Sequence, residues 1–235
     1  MADTFNFTIR ESVDASARAR LVRIDLGGAP FPFEAGQAVM SGLVAAGTLR
    51  PYSLACSPAQ SLASGCLELL VGVMPEERRA SHLGLGAPGD PVTVSAPFGS
   101  FALPPVIEQH HLLLIGGGSG VAPLRAQLWD ALERHESRFV SLIYSARTAD
   151  DFCFEREFRR LHDDQRIRYI PTATREVSPP WLGHRGRVDS SLLSPLVAGE
   201  ATLCSVCGPN GFVVDVTQML VEAGVPDANI LRERY

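Results

Sequence analysis

The sequence predicts two domains, an antiparallel β-barrel followed by an α/β domain built on a parallel sheet. In the first half, short strand-like segments are separated by Gly, Pro and Asp, a pattern typical of a small barrel. In the second half, short apolar runs alternate with segments of helical periodicity, which indicates a parallel sheet covered by helices. The composition changes around residues 101–111, so we place the boundary there and predict domains 1–105 and 106–235.

The predicted elements follow from these patterns in chain order. In the first domain we predict one short helix near residues 80–85 and strands at 5–11, 19–26, 37–44, 67–73 and 91–95. In the second domain we predict strands at 112–115, 139–144, 167–171, 203–207 and 230–232. We predict its helices at 122–134, 154–161 and 212–223. The apolar run 112–115 is typical of a strand buried on both faces.

The bulk composition narrows the possible classes of protein. The chain has 235 residues, of which 46% are hydrophobic, enough for a packed core. The net charge of -5 offers no electrostatic basis for binding nucleic acid. The N-terminus lacks the basic and apolar regions of a signal peptide, and no apolar run is long enough to cross a bilayer. We therefore expect a cytoplasmic protein with neither a membrane nor a nucleic-acid partner.

The five cysteines do not indicate a disulfide framework, because their number is odd and their spacing irregular. The pair Cys204-x-x-Cys207 is compatible with half a zinc site or a redox pair. No second pair or histidine cluster accompanies it, so core packing of Cys204 is favoured and we predict no metal site. The cysteine spacing of an iron–sulfur domain is also absent from the sequence.

A glycine-rich segment, Gly116–Pro123, follows the predicted strand 112–115 and opens the predicted helix 122–134. Glycine lets the backbone approach a dinucleotide closely while the N-terminus of the helix faces its pyrophosphate. Pro123 suits the first turn of the helix. The alternative is a tight strand-to-helix connection with no ligand.

A second motif, Arg50-Pro51-Tyr52-Ser53, combines side chains suited to a phosphorylated planar cofactor. Arg50 offers a planar charged fork for a pyrophosphate, and Tyr52 offers a flat ring. In a regular strand Ser53 points away from the face shared by Arg50 and Tyr52. Either a twist or bulge at Ser53 or contacts with different parts of the ligand would reconcile this pattern. The alternative is an ordinary edge strand, where proline is tolerated.

Four motifs in this order resemble the ferredoxin–NADP reductase superfamily: Arg50–Ser53, Gly116–Pro123, Cys207-Gly208-Pro209 and the closing Glu233-Arg234-Tyr235. The resemblance covers nearly the whole chain. It implies a six-stranded antiparallel FAD-binding barrel followed by a parallel-sheet domain that binds NAD(P).

The resemblance also implies site residues. For FAD these are Arg50, Pro51, Tyr52, Ser53, Leu70, Val71, Gly72, Arg79, Ala80 and Ser81. For the nicotinamide nucleotide they are Gly118, Ser119, Gly120, Pro123, Arg147, Thr174, Arg175, Cys207, Gly208 and Pro209, with Tyr235 placed between the two cofactors. Arg78 replaces a glycine of the family pattern, which puts close backbone approach there in doubt. The pair Thr174-Arg175 favours NADP(H), whereas Glu176 leaves NAD(H) open.

The implied activity is hydride transfer from NAD(P)H to FAD, with Ser53, Cys207, Glu233 and Tyr235 as the catalytic residues. Single electrons would then pass to a separate redox protein such as ferredoxin, flavodoxin or an oxygenase component. The first alternative is an NAD(P)H:flavin reductase that uses free flavin as a substrate. The second is a reductase-like protein that binds nucleotide to regulate a partner.

Overall fold

The structure is a computed structural model that describes residues 3–73, 83–134, 139–175, 181 and 183–235. Its strands form two six-stranded sheets, the first antiparallel and the second parallel, which confirms the predicted fold class. The last strand of the first sheet ends at Ser95 and the first strand of the second begins at His111. The predicted boundary between residues 105 and 106 falls in this connection.

The first sheet has the strand order β4-β3-β6-β1-β2-β5. The strands are β1 (Thr4–Ser16), β2 (Ala19–Asp25), β3 (Ala38–Leu43), β4 (Arg50–Ser53), β5 (Cys66–Gly72) and β6 (Pro91–Ser95). Its two outer strands meet through a bridge between Leu54 and Leu69, and the Ala55 N–H donates to the Glu68 carbonyl at 2.8 Å. These contacts close the sheet into a barrel whose interior is filled by aliphatic side chains such as Val22 and Val39.

The second sheet has the order β10-β9-β8-β7-β11-β12, and all its strand pairs are parallel. The strands are β7 (His111–Gly117), β8 (Phe139–Ala146), β9 (Arg168–Ala173), β10 (His184–Arg185), β11 (Thr202–Gly208) and β12 (Ile230–Arg234). The helices are α1 (Pro58–Ser64), which belongs to the barrel domain, α2 (Val121–Glu133), α3 (Glu155–Asp163), α4 (Ser190–Leu193) and α5 (Asn210–Glu222). As predicted, the side chains of Leu112, Leu113, Leu114 and Ile115 are fully buried.

The structure adds elements that the hydrophobic pattern did not reveal, namely α1, α4, β4 and β10. Helix α1 begins with a capping box, in which Ser57 accepts from the Gln60 N–H and Gln60 accepts from the Ser57 N–H. The sequence Ser57-Pro58-x-Gln60 therefore contained a usable signal. Of the helix predicted at 80–85, residues 83–85 form a single 3₁₀ turn and residues 80–82 lie outside the described part of the chain.

All five cysteines are buried free thiols, and burial raises the pKa of both Cys56 and Cys204 to about 12. Cys204 packs among Leu113, Val206 and Val213, as the core interpretation predicted. In the described residues, no helix combines the length and the apolar character that crossing a bilayer requires.

The two domains are joined by a buried guanidinium on α2. Arg125 donates through Nη1 to the Ala55 carbonyl at 2.6 Å and to Glu68 Oε2 at 2.7 Å, and both partners belong to the barrel. Its Nε and Nη2 donate to the two carboxylate oxygens of Glu157 on α3, at 2.8 and 2.9 Å. The guanidinium also lies over the ring of Phe154, 4.5 Å from its centroid. The side chain of Arg125 is only 8% exposed, so all of its charge is compensated inside the protein.

We expect Arg125→Met to lower the free energy of unfolding by about 3 kcal/mol, because it removes the cation between the largely buried carboxylates of Glu68 and Glu157. Urea titration followed by circular dichroism measures the change. The matched control is Arg160→Met, since Arg160 lies 3.8 Å from Asp164 with its side chain 85% exposed. The control should lose no more than about 0.5 kcal/mol. Equal losses in the two variants would contradict a role for Arg125 in joining the domains.

Candidate functional site

A cavity of about 400 Å³ lies where the carboxyl ends of β7 and β11 face strands β4 and β5 of the barrel. Its wall brings together residues of all four motifs that carried the resemblance. The lining residues are Arg50, Pro51, Tyr52, Ser53, Leu70, Gly72, Ser119, Gly120, Ala122, Cys207 and Tyr235. We call this space the barrel-side cavity.

The motif Arg50–Ser53 forms β4, the outer strand of the first sheet, which pairs with β3. The pairing runs without a shift from Ser41 opposite Arg50 to Ala38 opposite Ser53. The bulge at Ser53 that one alternative allowed is therefore absent. Ser53 instead meets the α/β domain, where its hydroxyl donates to Glu233 Oε2 at 3.2 Å.

Glu233 forms a small polar cluster with Ser53 and Cys207. It lies on β12 opposite Cys207, whose thiol is 3.8 Å from the same oxygen, Glu233 Oε2. Burial raises the pKa of Glu233, and the hydrogen bonds from Ser53 and Cys207 partly oppose that rise. Burial, reinforced by the neighbouring Glu233, also raises the pKa of Cys207, so its thiol stays neutral. The cluster therefore places a carboxyl group of raised pKa beside two donors, the Ser53 hydroxyl and the Cys207 thiol.

The glycine-rich loop leads from β7 into α2 through a 3₁₀ turn at Gly118–Gly120. Gly118 has φ of +58°, a left-handed conformation that favours glycine. A Cβ at Gly120 would collide with the carbonyl group of Cys207, so only glycine allows this approach to the end of β11. The loop therefore presents the first turn of α2 to the cleft, as the sequence predicted.

The hydroxyl group of Tyr235 forms hydrogen bonds with two residues of this loop. The hydroxyl donates to the Gly117 carbonyl at 2.9 Å and accepts from the Gly120 N–H at 3.3 Å. The hydroxyl group is thus held by the loop, whereas the residue as a whole is 62% exposed to solvent. Tyr235 lines the barrel-side cavity and also a second cavity on the other side of the loop.

This second cavity, of about 440 Å³, is the nucleotide-side cavity. Among the predicted nucleotide-binding residues it is lined by Gly118, Ser119, Arg147, Thr174, Pro209 and Tyr235. The barrel contributes Ser16, Arg18, Ala19 and Gly72 to the same wall. The two cavities share Gly72, Ser119 and Tyr235, so they form two halves of one interdomain cleft.

Other predicted residues lie beside the cleft without lining either cavity. The side chain of Val71 is buried in the barrel core, and Pro123 is buried in the first turn of α2. Gly208 is buried and accepts from the Tyr235 N–H at 3.3 Å, whereas Arg175 is exposed and its N–H donates to the Arg147 carbonyl. Arg78, Arg79, Ala80, Ser81 and Glu176 lie outside the described residues.

The sequence pattern did not single out Arg18 or Asp151, which also line the nucleotide-side cavity. Arg18 lies in the turn between β1 and β2, and Asp151 ends a short 3₁₀ helix after β8. The two are far apart along the chain, so no local motif marks the pair. Within the described residues, no group of three or more His, Cys, Asp or Glu side chains is placed to hold a metal ion.

Comparison with known proteins agrees with this geometry. Residues 114–218 match the oxidoreductase NAD-binding domain family. The chain is 31% identical over 204 residues to one component of the Na⁺-translocating NADH-quinone reductase of Klebsiella pneumoniae, covering 80% of this chain and 49% of that one. The corresponding component from Yersinia enterocolitica is 29% identical over 209 residues, covering 82% and 50%. The chain thus spans about half the length of the curated relatives it matches.

Solved structures share the complete two-domain fold. The cytochrome P450 reductase of Amycolatopsis superposes with a TM-score of 0.85 at 28% identity, over 100% of this chain and 71% of that one. A ferredoxin NADP⁺ reductase from Neisseria gonorrhoeae, solved with bound FAD and NADP, gives a TM-score of 0.81 at 21% identity, over 100% and 99%. At that identity the second likeness concerns the fold alone.

The family match covers the glycine-rich loop and strand β11, and the structural likeness extends over the barrel that carries Arg50–Ser53. The motif order, the two sheets and the interdomain cleft agree with these relatives. Residues 114–218 therefore match the oxidoreductase NAD-binding domain family, and the chain as a whole has the two-domain fold of these FAD- and NAD-binding oxidoreductases, which confirms the resemblance to the ferredoxin–NADP reductase superfamily.

Proposed function

We propose that this protein is an NAD(P)H-dependent flavin oxidoreductase that transfers hydride from NAD(P)H to FAD and then passes single electrons to a separate redox partner. The observation that carries the proposal is that two adjoining interdomain cavities share Gly72, Ser119 and Tyr235. Ser53 and Cys207 line the barrel-side cavity, and Glu233 contacts both of them. Two planar cofactors bound in the two cavities would meet beside these three groups.

The residues of the barrel-side cavity fit a flavin. Arg50 is exposed on the edge strand β4, where its guanidinium is accessible to a pyrophosphate. Tyr52 is half-buried and lines the same cavity, so its ring offers a flat apolar surface. Among the described residues, none lies within 4 Å of the position that a Cβ of Gly72 would take, which supports a close approach of a ligand to its backbone.

The residues of the nucleotide-side cavity fit a nicotinamide dinucleotide. The first turn of α2 directs backbone N–H groups and the positive end of the helix dipole toward the cleft. Arg147 and Thr174 follow β8 and β9 at the same edge of the sheet and line the same cavity. Both are exposed, and this supports binding of the adenosine half of NADPH, with NADH as the alternative.

When bound, flavin and nicotinamide supply the hydride-transfer chemistry themselves. The chain supplies orientation and proton control. Glu233 holds a proton closer to neutral pH than an exposed carboxyl does, because burial raises its pKa, and Ser53 donates to it from the flavin side. Cys207 contributes a small neutral thiol, because the raised pKa of its sulfur disfavours a nucleophilic thiolate.

We propose a separate ferredoxin, flavodoxin or oxygenase component as the electron acceptor, and a cytoplasmic location. The named relatives differ in this respect, since they include a component of an NADH-quinone reductase and a cytochrome P450 reductase. This chain matches only about half of the former, so the acceptor of that complex does not transfer to it.

The direct test is a visible spectrum of the purified protein followed by anaerobic titration with NADPH and NADH separately. We expect a yellow protein that keeps its FAD through desalting and loses flavin absorbance when either nucleotide is added, with NADPH effective at lower concentration. Flavin lost on desalting but reduced when supplied free would instead identify a flavin reductase. Nucleotide binding with no oxidation by ferricyanide would identify the regulatory alternative and contradict the proposal.

We expect Glu233→Gln to slow flavin reduction by about tenfold or more, because the amide still accepts from Ser53 but holds no exchangeable acid proton. Stopped-flow absorbance measures this rate. Glu222→Gln is the matched control, since Glu222 lies exposed on α5 and accepts from Gln218 at 2.9 Å. Equal rates in Glu233→Gln and the wild type would contradict the assigned role.

The same variant tests the raised pKa of Glu233 through stability. Below the ordinary carboxyl pKa the group is neutral in the folded and unfolded states, so it carries no penalty. Above the raised pKa it is ionised in both states, and the penalty for burying the charge is complete. We therefore expect Glu233→Gln to gain thermal stability relative to the wild type as pH rises through this window. No pH-dependent difference would argue against the raised pKa.

We expect Tyr235→Phe to bind nicotinamide nucleotide about tenfold more tightly, because the two hydrogen bonds of the phenol no longer compete for the loop. Equilibrium titration of the flavin-loaded protein with NADP⁺ and NAD⁺ measures the dissociation constants. Tyr169→Phe is not a suitable control, since its hydroxyl bonds Glu155 in the core. Ser191→Ala, on α4 and outside both cavities, serves instead. Unchanged affinity in Tyr235→Phe would show that the phenol does not gate the loop.

A further inference from the structure

The turn between β1 and β2 reaches from the barrel to the α/β domain and closes one wall of the nucleotide-side cavity. The Ala17 N–H donates to the Asp150 carbonyl at 3.0 Å. Beside it, Arg18 Nε lies 3.2 Å from Asp151 Oδ1. Residues 16–18 therefore form a hairpin tip that touches the segment following β8.

The two partners of this ion pair are held very differently. The side chain of Asp151 is only 10% exposed, and its Oδ2 accepts from Thr148 N at 3.1 Å and from Thr148 Oγ1 at 2.9 Å. The side chain of Arg18 is 42% exposed. The pair is exposed on the Arg18 side only, and Asp151 keeps both hydrogen bonds from Thr148 when Arg18 moves away. Asp151 is therefore fixed whether or not it is paired, whereas Arg18 can exchange its partner at small cost.

The charges lining the nucleotide-side cavity point to the ligand group that would attract Arg18. Among the described lining residues there are two guanidinium groups, Arg18 and Arg147, and one carboxylate, Asp151. While Arg18 is paired with Asp151, Arg147 is the other guanidinium that the described part of the wall presents to a ligand. A diphosphate carries more than one negative charge, and the planar fork of arginine is well suited to phosphate oxygens.

We propose that Arg18 is a phosphate-binding residue for the nicotinamide dinucleotide, contributed by the flavin domain across the cleft. In the free protein it is held by Asp151, and on binding it exchanges this carboxylate for the diphosphate. The proposal rests on the proposed function, because the dinucleotide is the ligand assigned to this cavity. It adds a contact from the barrel to a site that the sequence places wholly on the α/β domain.

This exchange predicts opposite changes in ligand affinity when Arg18 and when Asp151 is substituted. Removing the guanidinium removes the phosphate contact and weakens binding. Neutralising Asp151 removes the competitor for Arg18 and strengthens binding, while an amide oxygen still accepts from Thr148. A purely structural role for the ion pair would weaken binding in both variants.

The experiment is isothermal titration calorimetry of the FAD-loaded protein with ADP and, separately, with adenosine. Loading with FAD prevents the probes from occupying the flavin site. We expect Arg18→Gln to weaken ADP binding by about tenfold and to leave adenosine unchanged, since one charge-assisted hydrogen bond contributes on this order. We expect Asp151→Asn to tighten ADP binding roughly two- to fivefold. The control is Arg20→Gln, because Arg20 lies on the same hairpin, donates to the Ser12 carbonyl and does not line the cavity.

Wild-type affinity for ADP in Arg18→Gln would overturn the proposal, as would an equal loss for ADP and adenosine or weakened ADP binding in Asp151→Asn. Thermal melting of each variant shows that the fold is retained. Failure of the proposed function has a different signature: the FAD-loaded wild type would bind neither probe, or no FAD would be retained at all.

Discussion

The interdomain cleft depends on one constraint, which is that the buried guanidinium of Arg125 keeps its carboxylate partners in both domains. Arg125 cannot leave its pocket without exposing carboxylates from both domains, because Glu68 lies on the barrel and Glu157 on α3. Helix α2 carries Arg125 just after the glycine-rich loop, so this anchor also sets where the loop faces β4. The charged contacts of Arg125 therefore set the position of one domain relative to the other. Apolar contacts alone would not do so, because they are not directional.

The contacts inside the cleft are weak and exchangeable by comparison. Tyr235 holds the glycine-rich loop through two neutral hydrogen bonds, and Arg18 holds Asp151 through a partly exposed ion pair. Both interactions use groups that a dinucleotide would need. The molecule thus combines a domain arrangement held by a buried ion pair with a cleft whose closing contacts are few. Under the proposed function, a bound dinucleotide would replace these local contacts without a movement of whole domains.

The polar cluster of Ser53, Cys207 and Glu233 shows how burial raises the pKa of ordinary side chains. Glu233 is held between Ser53 and Cys207, and partial removal from water raises its pKa and favours its protonated form. The same burial keeps the thiol of Cys207 neutral by raising its pKa. A negative charge on Glu233 is disfavoured in this environment because burial raises its pKa.

Local patterns in the sequence were sufficient to predict the two sheets, the helix after the glycine-rich loop and the motif on β4, because burial periodicity and close backbone approach leave local signatures. A readable signal for α1, the capping box at Ser57, was overlooked. Only the tertiary structure decided that Arg125 would join the domains and that Arg18 would meet Asp151. Their partners are distant along the chain, and the spacing of charged residues carries no information about which of them the fold brings together.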